Sequence, residues 1–136
     1  MTRILLIRHG ENDYTQTSKL AGWTKGVHLN EMGRLQAITL ANQLTSYPIN
    51  YVYTSPLVRA LETAKPIAVS KKLTVRKCHQ IGEVRYGQWQ GKSLKMLRRR
   101  KLWNQIQNRP ATASFPGGES ILNVQIRAVS AVEKLV

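Results

Sequence analysis

Short apolar runs alternate with amphipathic stretches along this chain. Arg3 to Ile7 is apolar and rich in branched residues, which reads as a strand buried on both faces, and Gly10 then breaks it. From Glu11 to Val27 no hydrophobic period survives. Asn12, Asp13, Ser18, Gly22 and Gly26 mark a long loop there, and loops of that length are usually functional or disordered. Asn30 caps a predicted helix over 31–46, whose Leu35, Ile38, Ala41 and Leu44 fall on one face, and Pro48 ends it.

The pattern then repeats. Ile49 to Thr54 reads as a second strand, and Ser55-Pro56 starts a helix with a capping hydroxyl followed by proline at the first helical position. Leu57, Ala60, Leu61, Ala64 and Ile67 form its apolar stripe. Leu73 to Cys78 reads as a third strand, and Gly82, Gly87 and Gly91 mark irregular chain after it. Ser93 caps a further predicted helix with Leu94, Leu97 and Trp103 inward. After the turn Phe115-Pro116-Gly117-Gly118, Ser120 begins a last one through Val124, Ala128, Val132 and Leu135. Strand, helix, strand, helix, strand is the signature of parallel βαβ units, so the expected class is α/β in a single domain over 1–136.

Composition changes the picture in three ways. Of 136 residues, 42% are hydrophobic, enough for one packed core. No stretch reaches the roughly 20 apolar residues of a membrane helix, and the opening apolar run is cut by Arg8 and His9, so neither a span nor a signal peptide is expected and the default compartment is the cytoplasm. Cys78 is the single cysteine, which excludes an internal disulfide, and three scattered histidines give no zinc spacing, so no metal is predicted. Lys and Arg outnumber Asp and Glu by 21 to 7, a formal charge of +14. Arg85 to Arg109 alone holds eight basic residues and no acid, including Arg98-Arg99-Arg100-Lys101. Such a face attracts anions, whether nucleic acid or an acidic small substrate, or is only a solvated surface.

Candidate chemistry gathers at the ends of the first two predicted strands. Open α/β sheets bind ligands at the carboxyl ends of their strands, and Arg8-His9-Gly10 sits at one. A neutral imidazole can serve as a nucleophile, and a guanidinium orients phosphoryl oxygens with paired donors. A satisfied structural histidine is the bland alternative. Arg59 lies in the first turn of the helix after the second strand, where backbone N–H groups also favour anions; its alternative is a surface ion pair with Glu62. Glu83 stands among Ile81, Val84, Tyr86 and Trp89, a setting in which partial burial keeps a carboxyl protonated for delivery to a leaving alkoxide. An exposed loop carboxylate is its alternative.

Five segments together resemble a known family. Leu6-Ile7-Arg8-His9-Gly10-Glu11, Ala21-Gly22-Trp23 with Leu29 to Ala37, Ser55 to Ala64, Glu83 to Gly91, and Phe115-Pro116-Gly117-Gly118-Glu119-Ser120 occur in the order and spacing of the histidine phosphatase superfamily, in its phosphoglycerate mutase-like branch. The resemblance implies a three-layer sandwich with a mostly parallel sheet. It also implies cofactor-free hydrolysis of a small phosphomonoester in two steps, in which His9 is phosphorylated and then hydrolysed. By the same resemblance Arg8 and Arg59 hold the phosphoryl oxygens, and Glu83 is the general acid and base. Gly10, Thr15, Ala21 and Gly22 contribute to substrate binding.

Two departures from the family pattern stand out. Thr15 occupies the position, six residues past the nucleophile, where the family usually has asparagine; a hydroxyl can donate one hydrogen bond there with shorter reach. The family's second catalytic histidine, in a Ser-His-Gly-like segment, has no counterpart, and His28 and His79 do not match it. The expectation is therefore a domain incomplete at its C-terminus, lacking a strand that in the family lies between those matched by Arg3 to Ile7 and Ile49 to Thr54, with little or no turnover of its own. Three other readings compete: a phosphoglycerate-type mutase, a non-catalytic module binding polyanions or RNA through Lys92, Lys95 and Arg98 to Lys101, and a fragment that folds only with a complementing segment.

Overall fold

The computed structural model describes residues 2–136. Its one ladder among them is a pair of parallel strands, β1 (Val52–Thr54) and β2 (Val75–Lys77), with Val52 opposite Val75 and Thr54 opposite Lys77. The chain reaches the ladder through α1 (Asp13–Gln16) and α2 (Glu31–Gln43), crosses between the strands as α3 (Val58–Ser70), and ends with α4 (Leu94–Leu97), α5 (Lys101–Asn108) and α6 (Ile121–Leu135). The right-handed logic of a parallel pair demands such a crossover helix, so the α/β class follows from β1, α3 and β2 alone. No helix among the described residues is long and apolar enough to cross a membrane.

The expected first strand does not form. Arg3 to Ile7 has no ladder partner, and Ile4, Leu5, Leu6 and Ile7 are exposed, Leu6 to 87%. A strand buried on both faces needs neighbours on both edges, and none of the described residues supplies one. The segment nonetheless delivers His9 and Gly10 to a fixed place. Gly10 donates its N–H to Thr63 Oγ1 at 3.0 Å, and Glu11 donates to Gln36 Oε1 at 2.8 Å and accepts from Asn30 N at 3.1 Å.

Two small cores flank that place. Ala41 and Leu44 of α2 and its end meet Val52 of β1 and Ala64, Ile67 and Ala68 of α3. Trp89, Leu97 and Phe115 form the other, with Trp89 and Phe115 edge to face at 5.4 Å and Trp103 stacked on Trp89 at 6.4 Å. Offset and edge contacts of this kind add to the area that the rings bury.

Several element boundaries and faces differ from expectation for identifiable reasons. The buried stripe of α2 is Gly33, Ala37 and Ala41 rather than Leu35 and Ile38, which are 56% and 52% exposed. Small side chains let α2 approach its neighbours closely: a Cβ built on Gly33 would lie 2.0 Å from the Glu11 carbonyl oxygen. Ser55 and Pro56 precede α3 without capping it, since the helix begins at Val58 with Leu57 as its N-cap. Its buried face carries Arg59 and Thr63 together with Ala64, Ile67 and Ala68, whereas Leu57, Ala60 and Leu61 are only partly covered. The helix expected after Ser93 breaks into α4 and α5 across Arg98 to Arg100, where the run of like charge sits in solvent. On α6, Val124, Ala128 and Val132 turn inward around buried Ala131, and Leu135 is exposed.

The two readings of α2 separate by mutation. Gly33→Ala is expected to lower stability by about 1–3 kcal/mol through overpacking against Glu11, and Leu35→Ala to change it by no more than about 0.5 kcal/mol because it lies on the solvent side. Urea midpoints decide, since a core role for Leu35 would cost about 2–5 kcal/mol.

Candidate active site

The residues expected to act together are brought together. His9 is half-buried, and its Nδ1 lies 2.8 Å from the Gly10 carbonyl oxygen. A carbonyl can only accept, so Nδ1 carries the proton and the Nε2 lone pair is left free. Burial lowers the His9 pKa below the ordinary imidazole value. The Gly10 carbonyl opposes this, the positive charges of Arg59 and Arg8 reinforce it, and Glu83 opposes it. The net effect keeps the ring neutral, as a nucleophile must be.

Arg59, the second residue of α3, is 1% exposed. Nη2 donates to the Gly22 carbonyl at 2.9 Å, while Nε and Nη1 are buried and have no partner among the described residues. Burial lowers its pKa, with Glu83 and Tyr86 opposing, but a guanidinium remains protonated regardless. A buried cation with unanswered donors costs several kcal/mol unless an acceptor arrives. The surface ion pair weighed for Arg59 is not present. Glu62 instead takes Leu29 N–H at 2.8 Å and lies 2.6 Å from His28 Nδ1, fastening the loop before α2 onto α3. Thr63, one turn on from Arg59, donates to the Arg59 carbonyl at 2.8 Å and accepts from Gly10 N, so one hydroxyl couples the His9 loop to the helix bearing the arginine.

Glu83 points Oε1 at two donors, its neighbour Val84 N–H at 2.8 Å and the Tyr86 hydroxyl at 3.2 Å, and Oε2 has no protein partner among the described residues. Burial, then the charge and hydrogen bond of Glu83, push the Tyr86 hydroxyl pKa far up, so that proton stays on the phenol. The charge of Glu83 also acts on both His9 and Arg59, opposing the lowering of each pKa. Arg8 is exposed and works through its charge on His9 and Tyr86.

The expected binding loop divides. Ala21 and Gly22 are buried against the site, and Gly22 adopts φ +52°, where a Cβ would lie 2.8 Å from Gln90 Oε1 and 3.1 Å from the Tyr86 ring. Trp23 follows and seals the edge, its Nε1 donating to the Glu83 carbonyl at 2.7 Å and its ring packed on Gly82. Thr15 is otherwise occupied. Its hydroxyl accepts from Asn12 N at 2.9 Å and donates to Asn12 O at 2.8 Å, half of a capping box that makes α1 a helical turn where a plain loop was expected. That hydroxyl has no second proton to give a ligand. The residue that the sequence reading passed over is Asn12: its Oδ1 caps Tyr14 and Thr15, and its Nδ2 is fully buried without an acceptor. The polar Asn12-Asp13 pair three residues past His9 was its only signal.

Among the described residues no three His, Cys, Asp or Glu side chains gather into a metal-binding group. Comparison with known proteins gives one consistent result. The family model for the histidine phosphatase superfamily (branch 1) matches residues 4–136. Phosphoserine phosphatase 1 of Hydrogenobacter thermophilus is 30% identical over 137 residues, covering 99% of this chain and 64% of that protein. Glucosyl-3-phosphoglycerate phosphatase of Mycobacterium tuberculosis is 31% identical over 139 residues, covering 98% and 60%. A solved structure of the mycobacterial glucosyl-3-phosphoglycerate phosphatase with VO3 superposes with a TM-score of 0.83 at 30% identity, over 93% of this chain and 63% of that one. The chain therefore spans less than two thirds of the length of these relatives.

The lowered His9 pKa has a consequence for stability. The unfolded chain binds a proton on His9 near pH 6.5 and the folded chain only at lower pH, so stability from this group is complete above about 6.5 and is lost as pH falls through the folded value. Between about pH 5 and 8 the urea midpoint is expected to fall on acidification more steeply for the parent chain than for His9→Gln.

Proposed function

Because this chain belongs to the histidine phosphatase superfamily (branch 1), we propose that its site transfers a phosphoryl group from a small phosphomonoester to His9 without a metal. The observation that carries this reading is the buried Arg59, whose Nε and Nη1 have no acceptor, held beside a neutral His9 with Nδ1 committed to a carbonyl. A phosphoryl group supplies what the guanidinium lacks, three oxygens in a plane that paired N–H donors fit.

The steps follow from which atoms are free. Nε2 of His9 attacks phosphorus in line as the P–O bond to the leaving group breaks, and the departing oxygen takes a proton from Oε2 of Glu83, which that free carboxylate oxygen has first received from the monoanionic ester. Arg59, with the exposed Arg8 at the rim, neutralises charge on the equatorial oxygens, the main contribution a protein makes to this reaction. Water, deprotonated by Glu83, then attacks the phosphohistidine and releases phosphate. Gly10, Ala21 and Gly22 shape the walls. Thr15 acts through Asn12 rather than on the substrate, since its hydroxyl is spent in the capping box. The relatives named as phosphatases support hydrolysis over return of the group to a second hydroxyl, and a cytoplasmic setting goes with the same reading.

The first half-reaction is testable on this chain directly. Incubation with 4-nitrophenyl phosphate in the presence of EDTA is expected to add one acid-labile phosphoryl group, located on His9 by mass spectrometry. His9→Ala should add none, and Arg59→Met should slow labelling by ~10²–10³-fold. Labelling on another residue, or labelling abolished by EDTA, would refute the proposal.

A further inference from the structure

Arg127 of α6 lies outside the sequence segments read as chemistry, yet every N–H bearing nitrogen of its guanidinium is engaged. Nε and Nη2 each donate at 2.9 Å to one oxygen of Glu119, a bidentate pair. Nη1 donates to the carbonyls of Gln80 and Gly82, the latter at 2.9 Å, and Nη2 reaches the Glu83 carbonyl at 3.0 Å. Glu119 in turn accepts the Arg85 N–H at 2.8 Å. One ion pair thus holds the backbone on both sides of Glu83, from residue 80 to residue 85.

The surroundings make this clamp stiff. Both partners are largely covered, at 18% and 16% side-chain exposure. The Arg127 hydrogen bonds hold the Glu119 carboxyl below its usual pKa range, against the opposing effect of burial, so the pair remains ionised at neutral pH. Trp23 Nε1 shares the Glu83 carbonyl with Arg127. Glu119 is fixed as well, because Gly118 passes so close to the 85–87 backbone that a Cβ there would lie 2.1 Å from the Arg85 carbonyl oxygen. Such a fork can be supplied by arginine and not by lysine, which offers a single point charge.

We propose that the Arg127–Glu119 pair is a positioning device for the general acid, aiming Oε2 of Glu83 at the leaving oxygen by fixing the carbonyls of residues 80, 82 and 83. Arg127 touches no reacting atom; it acts through Glu83, and the inference rests on the phosphoryl-transfer reading for what Glu83 then does. An acid matters in proportion to how poor the leaving group is. A nitrophenolate departs without a proton, whereas phenolate and alkoxides need one.

The test pairs a chemical and a structural readout on Arg127→Met, Arg127→Lys and the gentler Glu119→Gln. His9 labelling by 4-nitrophenyl phosphate is expected to stay within about threefold of the parent in Glu119→Gln and Arg127→Lys, while labelling by phenyl phosphate falls by ~10²-fold or more, most in Arg127→Met. Amide exchange at Val84, whose N–H is bonded to the Glu83 carboxylate, should accelerate at least about tenfold while amides of α3 keep their protection. Equal loss with both esters, or full recovery of phenyl ester labelling in Arg127→Lys, would overturn the positioning role, as would unchanged Val84 exchange. Absence of labelling in the parent chain is a distinct result: it would sink the phosphoryl-transfer reading and the acid role with it.

Discussion

The arrangement turns on a guanidinium buried with two of its nitrogens unanswered. Arg59 reaches its place because α3 begins at Val58 and turns its second residue inward, beneath the Gly22 carbonyl. Each nearby feature can be read as a response to that charge. The Gly22 carbonyl answers one nitrogen, Glu83 answers at longer range, and His9 lies close enough that the positive charge helps keep its ring deprotonated. Burial makes this unfavourable when the site is empty and correspondingly favourable when an anion with several acceptor oxygens enters, since the desolvation cost has already been met in folding.

A cation held this way needs a rigid frame, and the frame is made of backbone contacts rather than of a large core. Thr63 ties Gly10 to α3, Asn30 and Gln36 tie Glu11 to α2, and the 18–20 segment runs beside 91–94 through the bonds of Leu20, Gly91 and Leu94. Glycine permits the closest of these approaches, at Gly33 against the Glu11 carbonyl and at Gly118 against the Arg85 carbonyl. One hydrophobic cluster packs α3 against α2 and β1, and the other gathers Val84 and Tyr86, next to Glu83, around Trp89, Leu97 and Phe115.

The α/β class was legible in the order of the segments, since β1, α3 and β2 fall where the strand–helix–strand pattern put them, and individual strands and faces were less so. His9, Arg59 and Glu83 stand in motifs whose spacing is fixed by local turns, so a residue pattern can carry them. The strand at Arg3 to Ile7 was not recoverable in the same way: its composition states a preference for burial, but a ladder needs a second strand, and composition cannot provide one. The inner face of α2 was misread because periodicity weights large side chains, while the face that packs is defined by Gly33, Ala37 and Ala41, whose value is their lack of bulk. Asn12 and Arg127 escaped notice for a third reason. For Asn12 the three-residue spacing to Thr15 marks a cap but says nothing of its buried Nδ2, and for Arg127 the partners are backbone atoms more than forty residues away, which no spacing rule reports.

That last pair bears on how the site divides its labour. In the proposed reaction, charge on the phosphoryl group would be met from α3 and proton delivery from the segment around Glu83, which α6 holds through Arg127 and Glu119. The two halves belong to different packing units and meet through the Trp23 edge, where Nε1 binds the Glu83 carbonyl one residue beyond Gly22, the acceptor for Arg59. Substitutions in α6 therefore fall on the acid half, and substitutions in α3 on the anion half. The basic run at Arg98 to Lys101 belongs to neither. It lies in solvent where α4 meets α5, and among the described residues its side chains donate no hydrogen bond to the groups around His9, so its field acts on anions in general.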